Sequence, residues 1–275
     1  MVRIAILITV HNRCQKTIQC LQHLKAQEIN DSIQWHVYLT DDGCTDNTID
    51  SVKNILPETI VIQGDGNLYW NRGMHKAWES AIENHDYDFY LWLNDDTMLL
   101  PSAFMHLLEC SKEKNHHAII AGCISSTTEP FITTYGGRTK KGWISCTGAM
   151  QELRLMHGNA VLIPRYVYNK IGMNDPYYQH AFGDYDYALT SATCGIRTFS
   201  TKDFVGRCNI DHKHPHCFNR NHPLKKRFAD LYSPTSYYQP TEAFHFDMKH
   251  NGLLTAIGRY AYLHLCCFFP IFWRE

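Results

Sequence analysis

The chain has 275 residues, of which 44% are hydrophobic, 13% aromatic and 19% charged, a composition that excludes a disordered polymer and suits one large globular domain. Its 26 basic and 27 acidic side chains give a formal charge of -1, so there is no overall field to hold nucleic acid, and the sequence shows no basic patch to supply a local one. Eleven cysteines, an odd number without regular spacing, read as free thiols of a cytoplasmic protein.

In chain order, residues 3–9 (RIAILIT) form an apolar run that predicts a buried strand, followed too soon by His11, Asn12 and Arg13 to be a secretory segment. Residues 17–27 carry Ile18, Leu21 and Leu24 on one helical face, and residues 34–40 (QWHVYLT) read as a second strand. Thr45 is placed to cap a helix reaching Ile55, residues 59–63 read as a third strand, and Met74, Ala77, Trp78 and Ala81 give helical spacing over residues 72–84. Residues 89–93 (FYLWL) complete a four-strand βαβ rhythm, which predicts a parallel sheet with its ligand at the carboxyl ends of the strands.

Beyond Gly122 the pattern loosens. Tyr135-Gly136-Gly137 marks a turn, residues 159–163 a strand and residues 185–194 a helix, while the His-rich stretch 208–223 reads as a mobile loop. Residues 242–269 return to helical spacing. Within them, residues 253–273 lack an unbroken apolar run of about 18 residues, so they do not read as a membrane span. Two readings fit: a helix packed on the core, or an amphipathic helix at a membrane interface, for which Phe268, Phe269, Phe272 and Trp273 have suitable chemistry.

Strand one ends in Thr9-Val10-His11-Asn12-Arg13, strand two in Asp41-Asp42-Gly43 and strand four in Asn94-Asp95-Asp96, so acidic groups converge on one sheet edge. Like charges tolerate such proximity best when a hard cation or a hydrogen-bonding ligand compensates them. The competing reading is local: Asp41 and Asp42 cap a helix, and Asp95 and Asp96 make a turn. A dinucleotide-binding fingerprint is absent, because the turn after strand one (His11-Asn12-Arg13-Cys14) has no glycine, and there is no Walker A lysine motif.

Taken in order, ILITVHNR, LTDDGCTDNT, GDGNLYWNRGMHKAW, LWLNDDTMLLP, HGNAVLIP and FGDYDYALTSATCGI resemble the family 2 glycosyltransferases of GT-A fold over about residues 2–210. The resemblance implies an α/β fold with a mostly parallel, Rossmann-like sheet flanked by helices. It also implies a GT-A domain over residues 1–240, divided into a nucleotide-sugar half (1–121) and an acceptor half (122–240), with residues 241–275 a C-terminal helical extension, possible contact with the inner membrane face included. Thr9, His11 and Arg13 would line the nucleotide pocket, Asp41 would accept the N3–H of a pyrimidine, Asp42 would lie near the ribose, and Gly66 and Asn67 would approach the nucleotide. Asn94-Asp95-Asp96 takes the place of the family's Asp-x-Asp, with Mg2+ or Mn2+ resting chiefly on Asp96.

Asp184 matches the family's general base, with Gly183 where a glutamate is usual; a helix N-terminus would keep Asp184 ionised, and Asp186 would stand behind it or touch the acceptor. Met74-His75 replaces the Arg-Asn that many members place against the diphosphate. A histidine after the last core strand, His212 or His214, would complete the metal site. The implied activity is inverting transfer from a UDP- or dTDP-sugar to a hydroxyl of a surface polysaccharide or lipid-linked glycan. The alternatives are a non-catalytic nucleotide-sugar or zinc-binding module, the latter built on Cys208, His212, His214, His216, Cys217 and His222, and a sugar-phosphate nucleotidyltransferase.

Overall fold

The structure, a computed structural model, describes residues 1–29, 31–210 and 216–273. The first half runs β1 (Val2–Val10), α1 (Cys14–Lys25), β2 (Ile33–Asp41), α2 (Thr48–Ile55), β3 (Ile60–Gln63), α3 (Tyr69–Asn84), β4 (Phe89–Leu93), β5 (Met98–Leu99), α4 (Ala103–Glu113) and β6 (Ile119–Ser125). There follow β7 (Thr133–Tyr135), β8 (Gly137–Thr139), β9 (Gly142–Trp143), β10 (Glu152–Leu153), β11 (Leu155–Met156), β12 (Ala160–Pro164), α5 (Arg165–Ile171), α6 (Gly183–Thr193) and β13 (Thr198–Arg207). Three helices, α7 (Leu224–Leu231), α8 (Pro240–His250) and α9 (Leu253–Phe268), complete the chain.

The central sheet has the order β10-β13-β6-β12-β4-β1-β2-β3 and is mostly parallel, while β11-β8-β9 form a small separate sheet. The apolar runs of the sequence have a direct cause here. Ile4, Ile6 and Ile8 enter one core with α1 and α4, whereas Ala5 and Leu7 enter the other with α3. β4 divides in the same way, Phe89, Leu91 and Leu93 to one side and Tyr90 and Trp92 to the other. Helices cover both faces, so the enclosed middle positions of these strands are apolar on both sides. On the α3 side the second core is aromatic: Trp78 is fully buried, its ring 5.1 Å from Tyr90 and 5.8 Å from Trp92.

Several details depart from the sequence reading. The second helix starts at Thr48 rather than at Thr45, because the Thr45 amide is drawn to Asn12 Oδ1 (2.7 Å) and Asp46 Oδ1 takes the Thr48 amide (3.1 Å). The buried strand β6 and helices α4 and α7 escape the periodicity argument. The C-terminal helical stretch is two helices, broken at Gly252, whose φ of +87° favours glycine. Within the 208–223 stretch, Cys208 is buried and residues 216–218 form a short 3₁₀ turn that buries Cys217 and Phe218, so the described part is anchored.

Cys217 and Phe218 belong to a third apolar cluster that joins Phe182 at the start of α6 to Phe246 of α8 and Leu263, Cys266 and Cys267 of α9. α9 therefore packs with one face, while Leu254, Ile257, Leu265 and Phe268 remain exposed on another. Among the described residues no helix is long and apolar enough to cross a membrane. The eleven cysteines are free.

Replacing the buried ring at the centre of the aromatic core, Trp78→Ala, is expected to lower unfolding free energy by about 3–5 kcal/mol. Urea denaturation of the two proteins measures it; a loss below about 1 kcal/mol would mean that this core is not closely packed.

Candidate active site

The carboxyl ends of β1 and β4 open into a cleft of about 1740 Å³, walled on the far side by the β8-β9-β11 sheet, the start of α6 and residues 233–238. Its size exceeds the roughly 300–1,000 Å³ of a pocket for one small ligand, and leaves room for two ligands together.

Thr9, His11 and Arg13 all line this cleft. His11 Nδ1 donates to the Asp42 carbonyl at 2.6 Å, tying the end of β1 to that of β2. Arg13, at the start of α1, reaches across to β4: one guanidinium nitrogen is 3.0 Å from Asp95 Oδ1 and another pairs with Asp96 Oδ2.

The end of β2 differs from its expected role. Asp41 is buried and does not line the cleft; its Oδ1 accepts the Cys44 amide at 2.8 Å in the turn after β2, so it caps no helix, the N-cap of α2 being Asn47. Asp42 borders the cleft, but its carboxylate accepts three backbone N–H groups, from Gly66 (2.9 Å), Leu68 (3.1 Å) and Tyr69 (2.8 Å). It is thus the anion at the N-terminus of α3, and it shapes the loop that carries Gly66 to the cleft wall. Asn67, expected to approach the nucleotide, does not line the cleft, and its backbone amide is turned to Asp65.

In the acidic motif, Asn94 Oδ1 accepts the Trp70 indole N–H at 2.7 Å. Asp95 is the more enclosed carboxylate, with a side chain 5% exposed against 16% for Asp96, so Asp96 is the one presented to a ligand. Burial pushes the Asp95 carboxyl up to about 7, against the pull of Arg13. Two adjacent carboxylates, with Asp96 at the cleft, are the oxygen donors a hard divalent cation takes, and the guanidinium of Arg13 now supplies the neutralising charge. Among the described residues no three His, Cys, Asp or Glu side chains form a ready-made metal cage. His212 and His214 lie outside the described residues.

Across the cleft, Asp184 accepts the amides of Tyr185 (2.8 Å) and Gly158 (3.1 Å). The expected lowering of its pKa by the helix N-terminus is reversed. Enclosure of the carboxyl outweighs these two amides and raises it to about 7, in the working range of a general base. Glycine at 158 permits the approach, since a Cβ there would stand 2.2 Å from the Trp70 ring. Gly183 also has a steric cause: a Cβ would meet Asn71 Oδ1 at 1.9 Å, so the side chain usual at this place has no room.

Asp186 stays out of the cleft. It is held by Lys249 (2.8 Å), His250 (2.8 Å) and Tyr178 (3.0 Å), so it fastens α6 to α8 and is closed to an acceptor. Met74 is core, and His75 donates to the Asn174 carbonyl at 2.7 Å, so neither faces the cleft. The sequence reading missed Lys16, Trp70, Arg138, Trp143, His157 and Tyr237, all of which line it. Of these Trp70 and His157 sit in the motifs GDGNLYWNRGMHKAW and HGNAVLIP and Lys16 lies in α1, while Arg138, Trp143 and Tyr237 come from segments without clear periodicity.

The profile of Glycosyl transferase family 2 matches residues 5–192. A mannosyltransferase of Pyrobaculum calidifontis, PcManGT, solved with GDP-Man and Mn2+, superposes with a TM-score of 0.58 at 12% identity, over 98% of this chain and 71% of that one. S. aureus TarS gives 0.58 at 13% identity over 96% of this chain, and GalNAc-T7, solved with UDP, GalNAc and Mn2+, gives 0.61 at 12% over 95%. This chain spans 49% of the TarS chain and 57% of the GalNAc-T7 chain. No curated protein matches significantly in sequence. At such identities the superpositions establish a shared GT-A fold, and with a profile matching more than half of its length the chain belongs to glycosyl transferase family 2.

Proposed function

We propose that the protein is an inverting, metal-dependent glycosyltransferase that moves a hexosyl or deoxyhexosyl group from a UDP- or dTDP-sugar to a hydroxyl of a surface polysaccharide or lipid-linked glycan. The observation that carries this reading is one cleft lined on one side by the Asp95–Asp96 pair and on the other by Asp184, whose pKa near 7 suits proton transfer. The two structural neighbours solved with Mn2+ and with GDP-Man or UDP bind ligands of this chemistry.

In this reading the nucleotide lies along the β1–β2 edge against Thr9, His11 and Gly66, and Asp42 serves it by holding the Gly66 loop in place. Asp96, backed by Asp95, would hold Mg2+ or Mn2+, which supplies positive charge to the leaving diphosphate. Arg13 then turns from the carboxylates toward the phosphates, a task suited to its fork of donors. The acceptor oxygen attacks the anomeric carbon as the bond to the diphosphate breaks, and its proton passes to Asp184. A single displacement inverts the anomeric centre.

The reading includes a cytoplasmic protein resting on the inner membrane face. Leu254, Ile257, Leu265 and Phe268 of α9, with Ile271 and Phe272 beyond it, form an exposed apolar face. Phe228 of α7 packs 5.0 Å from Phe268, and the exposed Lys225 and Lys226 of α7 supply charge complementary to anionic lipid.

Four measurements test these parts. UDP or dTDP with Mn2+ is expected to raise the melting temperature, and Asp96→Ala to remove the metal-dependent share; an unchanged shift in the variant places the cation elsewhere. Asp184→Asn is expected to cut transfer about 100-fold or more with nucleotide affinity little changed, and wild-type kcat to rise with pH through about 7 as the carboxylate forms. The same raised pKa sets the sign for stability: this carboxyl's contribution is fully present below about 4 and is lost as pH rises through about 7, a slope that Asp184→Asn flattens. Finally, the protein is expected to co-sediment with phosphatidylglycerol vesicles, and the double variant Leu254→Asp/Ile257→Asp to lose that binding without a change in melting temperature. Absence of binding by the wild-type chain removes the membrane part.

A further inference from the structure

The β8-β9-β11 sheet forms a wall of the cleft that the mechanism above does not use. In antiparallel pairing, directly opposed residues project on the same side, and Arg138 is opposed by Trp143 on β9 and by Leu155 on β11. Trp143 is 62% exposed although it lines the cleft. It is nevertheless held in place: its ring stacks on His157 at 5.1 Å with an interplanar angle of 18°, and the Arg138 guanidinium lies 5.6 Å from its centroid.

His157 connects this ring to the proposed base. Its Nε2 is 3.4 Å from the hydroxyl of Tyr185, the residue after Asp184, and its neighbour Gly158 donates to Asp184 directly. The platform and the base are therefore tied together. An exposed, rigid indole offers a flat apolar surface to the C–H face of a pyranose at little entropic cost.

The charge on this wall is one-sided. Arg138, Lys140 and Arg154 are exposed and line the cleft, and the Arg154 amide bonds to the Arg138 carbonyl at 2.8 Å, which joins the two backbone segments. Glu152, the one carboxylate in residues 133–157, is paired with Arg197. Among the described residues neither Arg138 nor Arg154 makes an ion pair. Guanidinium groups in this state suit bidentate binding of a carboxylate or phosphate.

We propose that this wall is the acceptor subsite and that it takes a saccharide bearing an anionic group, its ring stacked on Trp143 and its carboxylate or phosphate held by Arg138 and Arg154. The proposal rests on the glycosyltransferase reading for the word acceptor, while the binding it describes can be measured without turnover. Calorimetric titration of the full chain with a glucuronate-terminated disaccharide, a 6-phosphorylated disaccharide and their neutral counterpart provides the test. At least one anionic probe is expected to bind about tenfold or more tightly than the neutral one, and which of the two does so separates carboxylate from phosphate.

Trp143→Ala is expected to abolish binding and Trp143→Phe to restore most of it. Arg138→Ala/Arg154→Ala is expected to bring the anionic probe down to the neutral level while leaving the neutral probe unchanged. The melting shift given by UDP with Mn2+ should persist in all three variants. Equal affinity for the charged and neutral probes, binding by Trp143→Ala that matches wild type, or no saccharide binding by the wild-type chain overturns the proposal. Saccharide binding that depends on Trp143, in a protein that UDP, dTDP and GDP with Mn2+ all fail to stabilise, would sustain the subsite and remove the transferase reading instead.

Discussion

Arg13 pairs with both Asp95 and Asp96 and so fastens the end of β1 to the end of β4 at the point where the cleft opens. Without a counter-charge, two neighbouring carboxylates, one of them almost wholly enclosed, would repel each other and lose their hydration. The guanidinium holds them in one orientation before any ligand arrives, and Asp96 keeps enough exposure to exchange this partner for another cation. In the proposed mechanism Arg13 is the group that turns toward the diphosphate, and this interaction already holds it at the cleft edge.

The opposite wall is fixed by close approach rather than by charge. Gly158 lets the backbone pass against Trp70 and brings an amide to Asp184, and Gly183 leaves room for the buried Asn71. Trp70 in turn donates to Asn94, so the acidic motif and the proposed base are referred to one rigid indole. Asp186 extends the arrangement to the C-terminal helices through Lys249 and His250. Those helices therefore brace the proposed base, while the outer face of α9 stays free for another surface.

Enclosure also accounts for the protonation behaviour. The helix N-terminus and two amides favour a charged Asp184, yet loss of water around the carboxyl is the larger effect and moves it upward. Position on a helix could be read in advance, but enclosure depends on Trp70, Tyr185 and the cleft wall, which converge only when the chain folds.

Much of the first half was legible from local pattern. β1, β2, β4, α3 and the convergence of Thr9, His11, Arg13, Asp95 and Asp96 on one edge follow from apolar runs and βαβ spacing, because a strand covered on both faces has no other composition available. The motif order alone marked Asp184, and Asp96 as the principal cation ligand was an expectation of the same kind. Tertiary structure alone decided that Asp42 spends its carboxylate on three loop amides and that Asp186 is closed off by α8, since hydrogen-bond partners distant in sequence leave no local trace. It also decided the Trp143 wall. The short strands β8, β9 and β11 have too few residues to show a period, and their side chains acquire a common face only when the three pair across the cleft.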